Sequence, residues 1–264
     1  NISKDLKNDH LISGCYNFLA KTYSALGNKS EELKILKQSK KISEIGNNKD
    51  RLGMTLAMIA THFRQTGDLD SSMHYIKESF KIHEELGNKM SSYDNLGIMA
   101  GVYLQIGNTE LAMDHLDQAM AIAKEIKNDM RINYCHYVRG YIYFQQKDYA
   151  QAMDGNMSKW YEWFTENEND ISLEELSIYL VCLKKLGRDV NLSKLEILMK
   201  ERPERKYGYE LNYMLYQLYD DRSYLKSSYE KIMDLKSKLD KKTGGKFINY
   251  PLESEIIETY QSIS

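Results

Sequence analysis

The chain has 264 residues, and its 36 lysines and arginines nearly balance its 38 aspartates and glutamates. Because such a chain has no overall field that would draw it to nucleic acid or to anionic lipid, we expect neither as a partner. No apolar run approaches the roughly 18 to 20 residues needed to cross a bilayer, so no membrane partner is expected. Its 3 cysteines lack the spacing of a disulfide framework or a thiolate metal site, which favours a reducing, cytoplasmic location.

A period of forty residues runs along the chain. Glycine marks one turn of each of the first five units except the fourth, which has Lys147 there, and an aromatic residue lies four positions earlier in the first four units. The two series are Gly27, Gly67, Gly107 and Gly187, and Tyr23, Phe63, Tyr103 and Tyr143. A fixed period between about 20 and 50 residues is typical of stacked repeats, in which each unit covers the apolar face of its neighbour.

Apolar residues at three-and-four spacing, and only 2 prolines, predict an all-α protein. In chain order, helical hairpins are predicted at residues 9–45, 49–86, 89–126 and 129–165, with degenerate hairpins at 171–200 and 205–240. A loop is expected at 241–246, before a helix at 252–263 that caps the exposed end of the array. Together these elements predict a single domain over 1–264, with regular repeats at 9–165 and degenerate repeats and a cap at 166–264.

The third unit shows best which family the repeats resemble. Its small, aromatic and glycine positions match the tetratricopeptide repeat at Leu96, Ala100, Tyr103, Gly107, Ala112 and Ala119. The long period and the absence of a closing proline are similar to the long-helix variant of kinesin light chains and of bacterial peptide receptors and signalling proteins. The resemblance implies a right-handed α-solenoid of about six helical hairpins with a C-terminal capping helix.

In this family the inner faces of the first helices line a concave groove, which implies a binding site for a protein or peptide. The groove positions that the resemblance assigns are Asn17, Lys21, Thr61, Arg64, Gln65, Asp94, Gln105, Tyr137, Tyr141, Gln145 and Lys184. Their amide and basic groups can pair with a peptide backbone or carboxylate, and the tyrosines offer flat platforms.

The sequence contains no motif of the kind that metal, nucleophilic or phosphate-binding chemistry requires. Residues 242–246 resemble a phosphate loop only in part, because Asp240 stands where a glycine would be needed. We therefore expect no enzyme activity, no cofactor and no metal.

Trp160, Tyr161, Trp163 and Phe164 form the densest aromatic cluster, where the period begins to fail. Such a cluster either packs against the irregular fifth unit or anchors a partner, since tryptophan and tyrosine are frequent in binding hot spots. We favour packing, because two tryptophans are seldom both left in water.

These observations favour a non-catalytic protein- or peptide-binding scaffold, the regulatory or interaction module of a larger bacterial signalling protein. The first alternative is a peptide-pheromone receptor that uses the concave groove. The second is a region that forms a homodimer and regulates an attached nucleotide cyclase or ATPase, which a resemblance of residues 247–257 to the tails of such regions supports. The start at Asn1 rather than at methionine favours a part of a longer protein.

Overall fold

The computed structural model describes residues 2–167, 171–201 and 207–263, with side chains from residue 11 onward. These residues form helices and turns and no strand, which confirms the all-α prediction. In chain order the helices are α1 (Ile2–Ala25), α2 (Lys29–Ile45), α3 (Lys49–Gln65), α4 (Leu69–Glu85), α5 (Lys89–Ile106), α6 (Thr109–Glu125), α7 (Asp129–Gln145), α8 (Tyr149–Ala152), α9 (Ser158–Glu166), α10 (Leu173–Lys185), α11 (Ser193–Glu201), α12 (Tyr209–Tyr219), α13 (Arg222–Ser237), α14 (Lys241–Phe247) and α15 (Pro251–Ile263). No described helix is long and apolar enough to cross a bilayer.

An asparagine or aspartate begins nearly every helix of the regular repeats. Its side-chain oxygen accepts a hydrogen bond from the backbone N–H three residues later, which satisfies one of the free donors of the first turn. The residues that cap helices in this way are Asn28, Asn48, Asp68, Asn88, Asn108, Asn128 and Asp148. The turn before the cap needs a left-handed residue: Gly107 has φ 92° and Lys147, in the same register, has φ 62°. The turn therefore persists in the fourth unit without its glycine.

The first helices α3, α5 and α7 each pack on the second helix of their own hairpin and on that of the preceding hairpin. In the third and fourth units this interface is apolar, with Ala112, Leu116 and Ala119 buried beside Cys135. In the first two units it is polar, because Ser39 hydrogen-bonds to Asn17 at 2.7 Å. Both arrangements bury small side chains, so the helices approach closely throughout.

The second helix of the fourth hairpin is broken. A wide turn at Met153–Met157 separates α8 from α9, and Gly155 takes a φ of 64° there. Trp160 on α9 is fully buried, with its ring 4.8 Å from that of Tyr137. This burial confirms the packing role predicted for that member of the aromatic cluster.

The prediction of a loop at 241–246 was wrong, because the segment forms α14. The carboxylate of Asp240 accepts hydrogen bonds from the N–H groups of Lys242 (2.9 Å) and Thr243 (3.2 Å), which caps the helix. Gly244 and Gly245 both lie within α14.

Residues 240–263, which we name the C-terminal clasp, contact the second and third hairpins. Phe247 is buried against Gly67, and Lys246 forms an ion pair with Asp70. Pro251 lies against Gly107. In a simple solenoid each unit contacts only its neighbours. Here α15 packs on α13, as a cap does, but it also reaches α5 and closes the array on itself.

Candidate functional site

A concave cavity of about 660 Å³ lies on the inner side of the array. It is lined by α3, α5, α6 and α7, by α10 and α12, and by Pro251, Leu252 and Glu253 of the C-terminal clasp. Its volume falls within the range of about 300–1,000 Å³ that is usual for ligand pockets.

Two glycines of α5 make room for the cavity. Gly97 and Gly101 occupy the groove register that α7 fills with Tyr137 and Tyr141, forty residues later. A Cβ atom built at Gly97 would meet no atom within 4 Å, and one built at Gly101 would touch only Arg64, at 3.9 Å. The central helix of the groove is therefore recessed.

The α7 side of the cavity is a row of tyrosines. The rings of Tyr137 and Tyr141 are nearly parallel, with centroids 6.4 Å apart, and Tyr134 lies 5.8 Å from Tyr137. Burial raises the pKa of Tyr141 above the usual 10, whereas Tyr134 is 42% exposed on the cavity wall. Their hydroxyls therefore stay protonated at neutral pH and can donate hydrogen bonds.

Carboxylates surround the rest of the cavity. Among the described residues that line it, the acidic side chains are Asp94, Glu174, Glu175, Glu210 and Glu253, and Arg64 is the one cation. Asp94 is already paired with Arg131. The lining therefore favours a ligand that carries positive charge.

Glu253 is the most deeply buried of these acids. Its Oε1 accepts hydrogen bonds from the Tyr209 hydroxyl at 2.6 Å and from Gln105 Nε2 at 3.3 Å. Burial raises the pKa of Glu253 to about 7. One side chain thus joins the C-terminal clasp to α5 and α12 at the edge of the cavity.

The structure brings most of the sequence-predicted groove residues to this cavity. Those that line it are Thr61, Arg64, Asp94, Gln105, Tyr137, Tyr141 and Gln145. Gln145 Nε2 donates to the Tyr141 hydroxyl at 2.8 Å, which orients that ring.

The other predicted residues lie outside the cavity. Asn17 is buried between hairpins, where its Oδ1 accepts hydrogen bonds from Ser39 and Thr55. Lys21 is exposed on α1, and Gln65 accepts a hydrogen bond from Lys29 at 2.6 Å. Since α1 and the end of α3 extend beyond the cavity, a groove role for these three residues stays a prediction.

Lys184 also lies outside the cavity, where it stabilises the end of α12. Its Nζ donates to the carbonyl oxygens of Gln217 (2.9 Å) and Leu218 (3.0 Å). A cation at the carboxyl end of a helix satisfies free acceptors and opposes the negative end of the helix dipole. The structure therefore gives Lys184 a capping role.

Several residues that line the cavity were not predicted from the sequence. Tyr134 could have been found, because it lies forty residues after Asp94 in the same register. Glu174, Glu210 and Glu253 follow the point where the period is lost, so no repeat position identifies them.

No family model matches the chain, and no curated protein matches it either. Among solved structures, a Rap protein complexed with competence and sporulation factor has a TM-score of 0.68 at 17% identity, covering 94% of this chain and 73% of that one. The Rap conjugation gene regulator of the plasmid pLS20, in complex with the Phr* peptide, has a TM-score of 0.68 at 12% identity, with coverages of 94% and 74%.

A kinesin light chain with nearly identical TPR-like repeats, from Podosopora anserina, has a TM-score of 0.51 at 12% identity, covering 78% of this chain and 96% of that one. The chain has a tetratricopeptide-like fold. The resemblance drawn from the third unit is thereby confirmed, and at these identities the likeness concerns the fold alone.

Proposed function

We propose that the protein binds a short peptide in the concave cavity and acts as a non-catalytic regulatory scaffold in bacterial signalling. The observation that carries the proposal is the recess over Gly97 and Gly101, which leaves an extended ligand room between the tyrosines of α7 and the acidic residues of α10 and α12. The two similar Rap structures, one of them with the Phr* peptide, support it by fold.

The chemistry of the lining suits a peptide with a basic side chain or a free amino terminus. Glu174, Glu175 and Glu210 would pair with its positive charge, while Arg64 would bind a carboxylate. The amide of Gln105 and the hydroxyl of Tyr141 offer hydrogen bonds to a peptide backbone. This is the peptide-receptor form of the scaffold function.

We place this function in the cytoplasm and assign no catalysis to the chain. The free thiols of Cys135 and Cys182, which are buried in the repeat interfaces, support a reducing compartment. Within the described residues, no group of three or more histidines, cysteines and acids could hold a metal ion.

The test is to fill the recess without disturbing the fold. Gly97→Leu places a side chain in open space within a helix, so the free energy of unfolding should rise by about 0.5–1 kcal/mol. Binding of short peptides with one fixed arginine should be lost, as measured by isothermal titration against wild type. Peptides with glutamate at the same position should bind neither protein.

Gly245→Leu is the matched control, because Gly245 is also helical and a Cβ there meets no atom within 4 Å. It lies outside the cavity lining and should keep wild-type affinity. If Gly97→Leu binds the arginine peptides as tightly as this control does, the cavity is not the peptide site.

A further inference from the structure

The cavity continues between α5 and α7 as far as a second helix of the array. First helices face the cavity, and α6 packs on both α5 and α7 behind them. Leu116 and Ala119 of α6 nevertheless line the cavity. Among the described residues, no other second helix of the regular repeats contributes to the lining. The cavity is therefore deeper beside α5 than along the rest of the groove.

The same register is closed one unit earlier. Ile76 and Ser79 of α4 lie forty positions before Leu116 and Ala119. Both are fully buried, and neither lines the cavity. The depth beside α5 is thus a property of one unit and does not follow from the repeat itself.

Gly97 and Gly101 leave this opening in the layer of first helices. The same register of α3 carries Ala57 and Thr61. A Cβ atom at Gly97 would meet no atom within 4 Å. Because α5 has no side chain at two successive turns of its cavity face, a ligand can reach α6 past the backbone of α5.

The inner end of the cavity, which we name the α6 pocket, is apolar. It is lined by Leu104, Leu116, Ala119, Cys135 and Val138. None of these side chains carries a charge, and a buried free thiol behaves as a small apolar group. The first four belong to one buried cluster, and Val138 packs against it. The pocket therefore opens directly onto the apolar core of the third hairpin.

Tyr93 also lines this part of the cavity, and its polar group already has partners. Its hydroxyl donates to the carbonyl oxygen of Arg131 at 3.2 Å and lies 3.7 Å from the Cys135 thiol. The acids Glu174, Glu175 and Glu210 lie on other helices of the lining. A charged or amide group of a ligand would be costly in the α6 pocket, because its hydrogen bonds to water would not be replaced.

We infer that the α6 pocket binds one large apolar side chain of the peptide, of the leucine, methionine or phenylalanine class. The acids of α10 and α12 bind the positive charge of the same peptide. The inference rests on the proposed function and makes it more specific, since the ligand must then carry both a basic group and a large apolar residue.

The test is a set of short peptides with one fixed arginine in an alanine background, in which leucine is placed at each remaining position in turn. Isothermal titration gives the Kd of each peptide for the wild-type protein. Leucine at one position should lower the Kd about 10–100-fold relative to alanine, because its side chain leaves water for an apolar pocket. Asparagine at that position, which is similar in size to leucine, should give no gain.

Leu116→Ala enlarges the α6 pocket, and Ile76→Ala is the matched control. Ile76 occupies the same register of α4, is equally buried and does not line the cavity. Both variants lose a large core side chain, so circular dichroism must first show that each is folded at the titration temperature.

The measured quantity is the ratio of the Kd values of the leucine peptide and of the corresponding phenylalanine peptide. In Leu116→Ala this ratio should shift at least ~10-fold in favour of phenylalanine, and in Ile76→Ala it should stay at the wild-type value. Val138→Ala, at a half-buried position of the same pocket, should shift the ratio in the same direction by less. It replaces Leu116→Ala if that variant does not fold.

If leucine binds no more tightly than alanine at any position while the arginine peptides still bind, the inference is overturned and the peptide cavity is retained. An equal shift of the ratio in Ile76→Ala would also overturn the inference, because the effect would then be a general loosening of the core. If no arginine peptide binds the wild-type protein, the proposed function itself fails, and the inference fails with it.

Discussion

The side chain of Glu253 is fully buried. Only one of its two carboxyl oxygens accepts hydrogen bonds, from the Tyr209 hydroxyl and the Gln105 amide. Its other oxygen, Oε2, has no hydrogen-bond partner. Ionisation therefore leaves part of a charge without compensation, which is why burial raises its pKa from the usual 4.5 to about 7.

The raised pKa makes the stability of the protein depend on pH. The folded state binds the proton of Glu253 more tightly than the unfolded state does. The stability that this proton contributes is therefore fully present below pH about 4.5 and is lost as the pH rises through about 7. Glu253→Gln keeps a neutral side chain at every pH. The free energy of unfolding of wild type should fall relative to that of the variant by up to about 3 kcal/mol between pH 5 and 8.

Urea denaturation of both proteins across that range measures the difference. Glu210, Tyr209, Tyr141 and Arg64 surround the same cavity edge and are unchanged in the variant, so their titration largely cancels in the comparison. If the free energies of unfolding of wild type and Glu253→Gln change in parallel with pH, then Glu253 is ionised in the folded state throughout this range.

At the scale of the element, two glycines in first helices have opposite roles. Gly97 faces open space, whereas a Cβ at Gly140 would lie 2.7 Å from the backbone carbonyl oxygen of Ala152. The wide turn at Met153–Met157 brings Met157 equally close. The fourth unit therefore needs glycine where the first three have alanine.

Alanine substitutions at the two glycines should change the free energy of unfolding in opposite directions. Gly97→Ala should raise the free energy of unfolding by about 0.5–1 kcal/mol, through helix propensity alone. Gly140→Ala should lower it by about 1–3 kcal/mol, because α7 and the wide turn must move apart. Thermal and chemical denaturation measure both, and a stabilised Gly140→Ala protein would contradict the close approach.

Elements of the regular repeats were predictable because one period fixes their turns, caps and aromatic positions together. Gly107 and Asn108 predict a turn in the third unit. Lys147 and Asp148 occupy the same positions in the fourth unit and predict the same turn, although the glycine is missing. The wide turn in the fourth hairpin was not predictable, since Gly155 occupies no repeat position. The acids of α10 and α12 were missed for the same reason.

At the scale of the whole molecule, the C-terminal clasp connects parts of the chain that are far apart in sequence. Phe247 fills the space beside Gly67, and Leu69, Val102 and Tyr250 belong to the same buried cluster. No sequence pattern joins these positions, because neither their spacing nor their residue types repeat. The capping helix could be predicted, but its second attachment could not. One domain over 1–264 stays a prediction.

Removing Phe247 tests this connection. Phe247→Ala should lower the free energy of unfolding by about 3–5 kcal/mol. It should also speed amide hydrogen exchange in the 66–70 turn, which lies about 180 residues away in sequence. Ile232→Ala, at a buried position of α13, is the control. It should loosen the last hairpins only, and an effect of Phe247→Ala confined to them would contradict the clasp.

A stack of helical hairpins is ordinarily flexible, because small rotations at successive interfaces add along its length. The clasp fastens the second and third hairpins to the carboxyl end, so the rotations between them can no longer add freely. Among the described contacts that fasten the array, none involves α1 or α2. We therefore expect the bending of the array to be concentrated in its first hairpin, which the clasp does not hold.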